Sequence, residues 1–155
     1  MKIVLIAIIL FLKQGRKVEY PALSELRRLY HVAAIQQDSS KKLSMLLTHL
    51  DSGSQPVYIC YKGVSKMMQA KYAINPMVKL SLFNNGKTLM ENAISTDTTD
   101  MEMRYLRLSI QKNLPLMLGY NRSILSDKMF LQNNINNEND NELKELILSY
   151  LSSLK

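Results

Sequence analysis

The stretch from Asn75 to Asn113, NPMVKLSLFNNGKTLMENAISTDTTDMEMRYLRLSIQKN, restricts the chain more than any other. Leu80, Phe83, Gly86, Met90, Ala93 and Ile94 recur at helical spacing, so this segment buries one side of a helix. Asn75 is placed to cap that helix, and Pro76 suits its first position, where a missing N–H costs nothing. The turn Ser95–Thr99 holds hydroxyls and Asp97, whose side chains hydrogen-bond nearby backbone and compete with helix. Thr99 or Asp100 then caps a second helix, with Met103, Leu106, Ile110 and Leu114 on one side. Two helices joined by a tight polar turn are expected at the centre of the fold.

The rest of the chain divides in the same way. All four prolines, Pro21, Pro56, Pro76 and Pro115, fall at segment boundaries. Leu23, Leu26, Leu29, Tyr30 and Ala33 mark a helix within residues 20–37, with Arg27 and Arg28 placed on its other side. Leu43, Leu46, Leu47 and Leu50 mark the next, and the two read as a hairpin. Residues 56–74 start with strand-like VYIC, but Val57, Cys60, Val64, Met67 or Met68, and Ala70 or Lys71 fit one helix with Gly63 inside it. A mid-helix Gly costs roughly 1 kcal/mol against Ala, so it points to close helix packing. Residues 123–132 and 142–154 are two further helices, and the Asn-rich stretch 133–141 between them is expected to be a mobile loop. The expected fold is all-α: six or seven helices packed as antiparallel hairpins, in a single domain over residues 20–155.

At 155 residues and 46% hydrophobic content the chain can bury a sizeable core. Leu, Ile and Met outweigh Val and Thr, with no Trp, which favours helix. The run IVLIAIILFL at residues 3–12 is too short to span a bilayer but matches the apolar core of a signal peptide. Residues 1–19 therefore read as a signal peptide or as an N-terminal tether, and export to the periplasm or envelope is expected. No A-x-A cleavage pattern follows, which keeps the tether open as an alternative. Of the net charge of +7, four basic residues precede residue 18, leaving sixteen basic against thirteen acidic residues. That excess is too small and too scattered for a nucleic-acid footprint. The single cysteine, Cys60, excludes an internal disulfide and any cysteine-built zinc site.

Leu80-x-x-Phe83-x-x-Gly86-x-x-Leu89-x-x-x-Ala93-Ile94-x-x-Asp97, followed by Glu102-x-Arg104-x-Leu106-Arg107, resembles one tetratricopeptide-type helix–turn–helix unit, with Thr98 where a Pro is usual. The flanking segments do not repeat it, and a solenoid needs about three units. Tyr20-Pro21-Ala22-Leu23, Tyr61-Lys62-Gly63, Asn75-Pro76, Arg104-Tyr105-Leu106-Arg107 and Leu118-Gly119-Tyr120-Asn121 are similar to pieces of a family of exported bacterial helical proteins without an assigned function. That resemblance implies export and an all-helical fold, and names no substrate.

Signals for chemistry are sparse. His31 and His49 stand eighteen residues apart with no ligand cluster around them, and no P-loop, G-x-G-x-x-G or G-x-S-x-G occurs. No cofactor or metal is expected. Tyr58, Tyr61 and Tyr72, with the nearby lysines, read either as half-buried aromatics or as a mixed aromatic–basic surface. Arg104, Arg107 and Gln111 share a helix face at i, i+3 and i+7. One reading pairs Arg104 with Asp100 a turn earlier. The other aims the arginines at a groove that receives a carboxylate or a partner chain, since a guanidinium grips carboxylate bidentately. Arg104 is expected to serve the fold and Arg107 the partner, because no acid lies at i±3 or i±4 from Arg107. Arg104, Arg107, Gln111 and Tyr120 are thus the candidate partner-binding residues. The function expected is a non-catalytic protein-interaction or scaffold domain of the bacterial cell envelope, with a protein or peptide partner and membrane contact only through the N-terminal segment. The alternative is an enzyme with a site between helices near Arg104 and Tyr120.

Overall fold

The computed structural model describes residues 18–154, so the expected signal peptide or tether lies outside the described residues. Among the described residues seven α-helices follow in order: α1 Leu23–Ala33, α2 Gln37–Leu47, α3 Pro56–Tyr72, α4 Pro76–Thr96, α5 Met101–Asn113, α6 Ile124–Asn134 and α7 Asn141–Ser153. Two 3-10 turns, Leu116–Leu118 and Ile135–Asn137, flank α6. Among the described residues there is no strand, and no helix long and apolar enough to cross a membrane. The all-α class and the division into helices match the sequence reading.

The caps follow from local chemistry. The Asn75 side chain accepts from the amides of Met77 at 2.8 Å and Val78 at 3.4 Å, with Pro76 at the first helical position of α4. Asp97 accepts from the Thr99 amide and hydroxyl, and Asp100 accepts from the Met103 amide at 2.8 Å, opening α5. Asp140 caps α7 through the Leu143 amide.

Packing places the centre elsewhere than the sequence suggested. The most extensively packed pair is α3 with α4, and α4 touches α5 far less. The reason is a meeting of glycines. A methyl added to Gly63 would lie 2.6 Å from the Gly86 carbonyl oxygen and 2.9 Å from the Met90 nitrogen. One added to Gly86 would lie 2.5 Å from the Gly63 carbonyl oxygen and 2.7 Å from Met67 Cγ. Helix backbones approach this closely only where neither residue carries a Cβ. Gly86 is thus a packing residue, as expected, but it faces α3.

The apolar core is continuous and contains Leu26, Leu43, Leu47, Tyr61, Met90, Leu106, Leu131 and Ile147. Burying each such aliphatic side chain contributes roughly 1.5–3 kcal/mol. Around α5 the burial runs nearly all the way round: Met103, Tyr105, Leu106 and Leu108 are buried, and so are Glu102, Arg107, Ser109 and Gln111. A helix enclosed on all sides must find internal partners for its polar groups. The Asn-rich stretch expected to be a mobile loop carries local structure. α6 runs into it as far as Asn134, Ile135 is buried, and Asp140 is engaged as a cap and as an ion-pair partner. Two acids and a buried isoleucine give that polar segment more to hold on to than its asparagines suggest.

Candidate functional site

Two arginine-centred networks are built on α5. The first joins α1, α3, α5 and the start of α7. Arg27 donates from Nε and Nη2 to the two carboxylate oxygens of Glu102, both at 2.8 Å, in a bidentate fork. Nη2 also donates to Asp140 and Nη1 to Glu142, each at 2.8 Å. The Tyr61 hydroxyl donates to Glu102 at 2.6 Å from inside the core. The hydrogen bond to Glu102 is the main cause that raises the Arg27 pKa further above its ordinary value, against the cost of burial. In turn Arg27 holds the Asp140 carboxyl below its usual range. Burial, with Glu102 beside it, pushes the Tyr61 phenol up.

The second network joins α4, α5 and α6. Arg107 donates from Nε and Nη2 to Asp127 at 2.7 and 2.8 Å, and from Nη1 to Glu91 at 2.7 Å. Arg104 adds a bond to Asp127 at 2.9 Å, gives two more to the Thr98 carbonyl, and lies 5.0 Å from the Phe130 ring centre. The Tyr120 hydroxyl donates to the other Glu91 oxygen, and burial with that contact raises its pKa. Gln111 accepts from the Ser123 amide at 3.1 Å. Burial works against the Arg107 charge, but Asp127 and Glu91 outweigh it and raise its pKa.

The four candidate residues are therefore brought together around one site, and their polar groups are engaged with the protein itself. Two details of the sequence reading change. Asp100 does not pair with Arg104, because its carboxylate is taken by the α5 cap. Arg107, expected to be the one left for a partner, is the more deeply engaged, with 8% of its side chain exposed against 18% for Arg104.

Three residues of these networks escaped the sequence reading. Arg27 was placed on the solvated side of α1, and it is buried. Asp127 is fully buried in α6 beneath both arginines. Glu102 was passed over. The signal was present in each case: Leu23, Arg27 and Tyr30 fall at i, i+4 and i+7, Ile124, Asp127 and Leu131 at i, i+3 and i+7, and Glu102 a turn before Leu106. A charge on an apolar stripe is a buried charge awaiting a partner.

Other candidates are quieter. Tyr58 stacks on Tyr20 at 4.5 Å between ring centres, and the Tyr72 hydroxyl donates to the Ala33 carbonyl at 2.9 Å. Burial pushes the Cys60 thiol well up, away from reactivity. A His49 ring nitrogen hydrogen-bonds the Glu19 carbonyl, and no group of three metal-ligating side chains occurs among the described residues. A cavity of about 500 Å³ opens between the connection after α2 and the faces of α3 and α4, with Asp51, Ile59, Lys62, Leu89, Asn92 and Thr96 among its lining. The Lys62 amine there donates to the Thr48 and Leu50 carbonyls.

Fold and site define a small all-α protein pinned by two internal ion-pair networks. Compared with known proteins, the chain matches no protein-family model, no curated protein and no solved structure.

Proposed function

We propose that this chain is a non-catalytic interaction or scaffold domain of the bacterial cell envelope, exported on its N-terminal apolar segment and binding a protein or peptide partner. One observation carries the reading. The arginines, carboxylates and phenols that would attract attention as reactive groups are hydrogen-bonded to one another across helices. Such networks fix helix positions, and they leave Arg104 and Tyr120 already occupied where a substrate site between helices would need them free. The open cavity beside α4 is lined by polar and aliphatic groups; its carboxylate, Asp51, accepts from the Gly53 amide, and its lysine is held by main-chain carbonyls. That lining suits the backbone of an extended or helical peptide better than it suits general acid–base work.

The test is a pull-down of the tagged chain from envelope extract, set against Asn92→Trp. Asn92 is exposed and lines the cavity, so the indole fills the opening without disturbing the core. A partner recovered by the natural chain and lost with the variant supports the reading. Recovery no different from that of an unrelated helical protein overturns it.

A further inference from the structure

We propose that a second surface, at the end of the α4–α5 hairpin away from the Asp97–Asp100 turn, rests on an anionic lipid bilayer. This goes beyond the partner reading and involves neither the cavity nor the N-terminal segment. Two apolar segments meet the solvent there. The entry to α4 exposes Ile74, Met77, Val78 and Leu80, and the 3-10 turn after α5 exposes Leu116 and Met117; Ile74 is 99% and Met117 90% exposed. The ring of Tyr120, two residues beyond that turn, packs edge-on against Phe83 of α4 at 6.2 Å, which sets the turn beside the first half of α4. Large apolar side chains clustered in exposed segments mark an interaction surface.

Charge selects the partner. Residues 71–90 and 112–126 contain Lys71, Lys79, Lys87, Lys112 and Arg122, and no acid. Lys79, Lys112 and Arg122 are exposed, Lys71 donates to the Ala34 carbonyl, and Lys87 lies over the Tyr120 ring at 5.0 Å. The nearest carboxylates in sequence, Glu91 and Asp127, are bound to Arg107. Apolar tips surrounded by uncompensated cations match a bilayer whose acyl boundary takes the tips and whose anionic headgroups take the ammonium groups. A second copy of the chain fits poorly, because its own cations would face these. The residues project outward, so they suit a deformable surface better than a shaped pocket.

The chain contains no Trp, so one introduced indole reports on its own position. The experiment uses the full chain as Met117→Trp, with Met45→Trp on the exposed side of α2 as reference, and vesicles of phosphatidylcholine with or without phosphatidylglycerol. With anionic vesicles, the emission of the indole at 117 is expected to shift to shorter wavelength and to be quenched by brominated acyl chains. The indole at 45 is expected to stay as in water. Adding Lys79→Gln and Lys112→Gln is expected to raise the lipid concentration for half-maximal shift roughly 30-fold, at the usual contribution of a cation near an anionic surface. Three results overturn the proposal: no shift at 117, equal shifts at 117 and 45, or a shift at 117 that depends on protein concentration without lipid. The second would assign binding to the N-terminal segment alone, and the third to a protein contact.

Discussion

The two arginine networks are made of the same parts and balanced differently. Around Arg107 and Arg104, two guanidiniums meet two carboxylates, and the shared Asp127 is fully buried. Around Arg27, one guanidinium meets three carboxylates; Glu102 is buried, while Asp140 and Glu142 reach solvent. The first is balanced in charge, with Glu91 partly exposed at its edge, and the second carries an excess of carboxylates, with a buried core and a wetter rim. Burial decides what each bond is worth. Removing one partner of a buried pair strands the other and costs roughly 3–5 kcal/mol, whereas an exposed pair contributes about 0–1 kcal/mol.

The largest effect is therefore expected from Asp127→Ala, which takes from Arg107 its buried partner and from Arg104 its carboxylate partner among the described residues. A thermal melt should show destabilisation of roughly 3–5 kcal/mol. A melting temperature close to the natural chain's would mean that water reaches this network and that the contrast with the rim is false. Next comes the order of the two arginines. Arg107→Ala should cost more than Arg104→Ala, since Arg107 has three bonds to carboxylates and Arg104 one. Finding the reverse would restore Arg107 as a residue held for a partner.

A yardstick outside both networks comes from the glycine contact. Gly63→Ala should destabilise by about 1–3 kcal/mol through overpacking, despite the better helix propensity of Ala. If this variant melts higher, α3 and α4 are farther apart than described, and neither network can be judged against their contact. The smallest effect belongs to the rim. Asp140→Asn should cost about 1 kcal/mol or less at neutral pH. Because the Asp140 pKa is depressed in the folded protein, its contribution is present above the ordinary value of 3.8 and is lost as pH falls through the lower folded value. Stability curves of the natural chain and the variant should therefore converge in strong acid. Curves that stay parallel down to that range would remove Asp140 from the network.

Most of the fold was legible because its determinants are local. The Asn75 cap, the Pro76 start, the Asp97 turn and the apolar periods of α1 to α7 act within a few residues. The pairing of helices was less legible. Gly86 announces a close contact, but only tertiary geometry tells whether α3 or α5 supplies it. The site residues divide along the same line. Arg104, Arg107 and Gln111 drew attention because they share a helix face, and the structure places them with Tyr120 around one network. Arg27, Glu102 and Asp127 were missed because their partners lie 20 to 115 residues away, and a stripe holding one charge reads as a slightly imperfect stripe.

The reach of Arg27 has a consequence for the order in which the protein is made. Its partner Glu102 is 75 residues later and Glu142 is 115 residues later in the chain. At about 5–20 residues per second, a ribosome needs roughly 6–23 s to produce Glu142 after Arg27. Through that interval the first helix carries a cation whose buried seat is incomplete, while α3 and α4, joined by three residues, can already close on each other. A nascent chain halted before residue 140 should therefore hold a formed α3–α4 pair and a first helix still open to proteases, and closure of the molecule should coincide with arrival of the last helix.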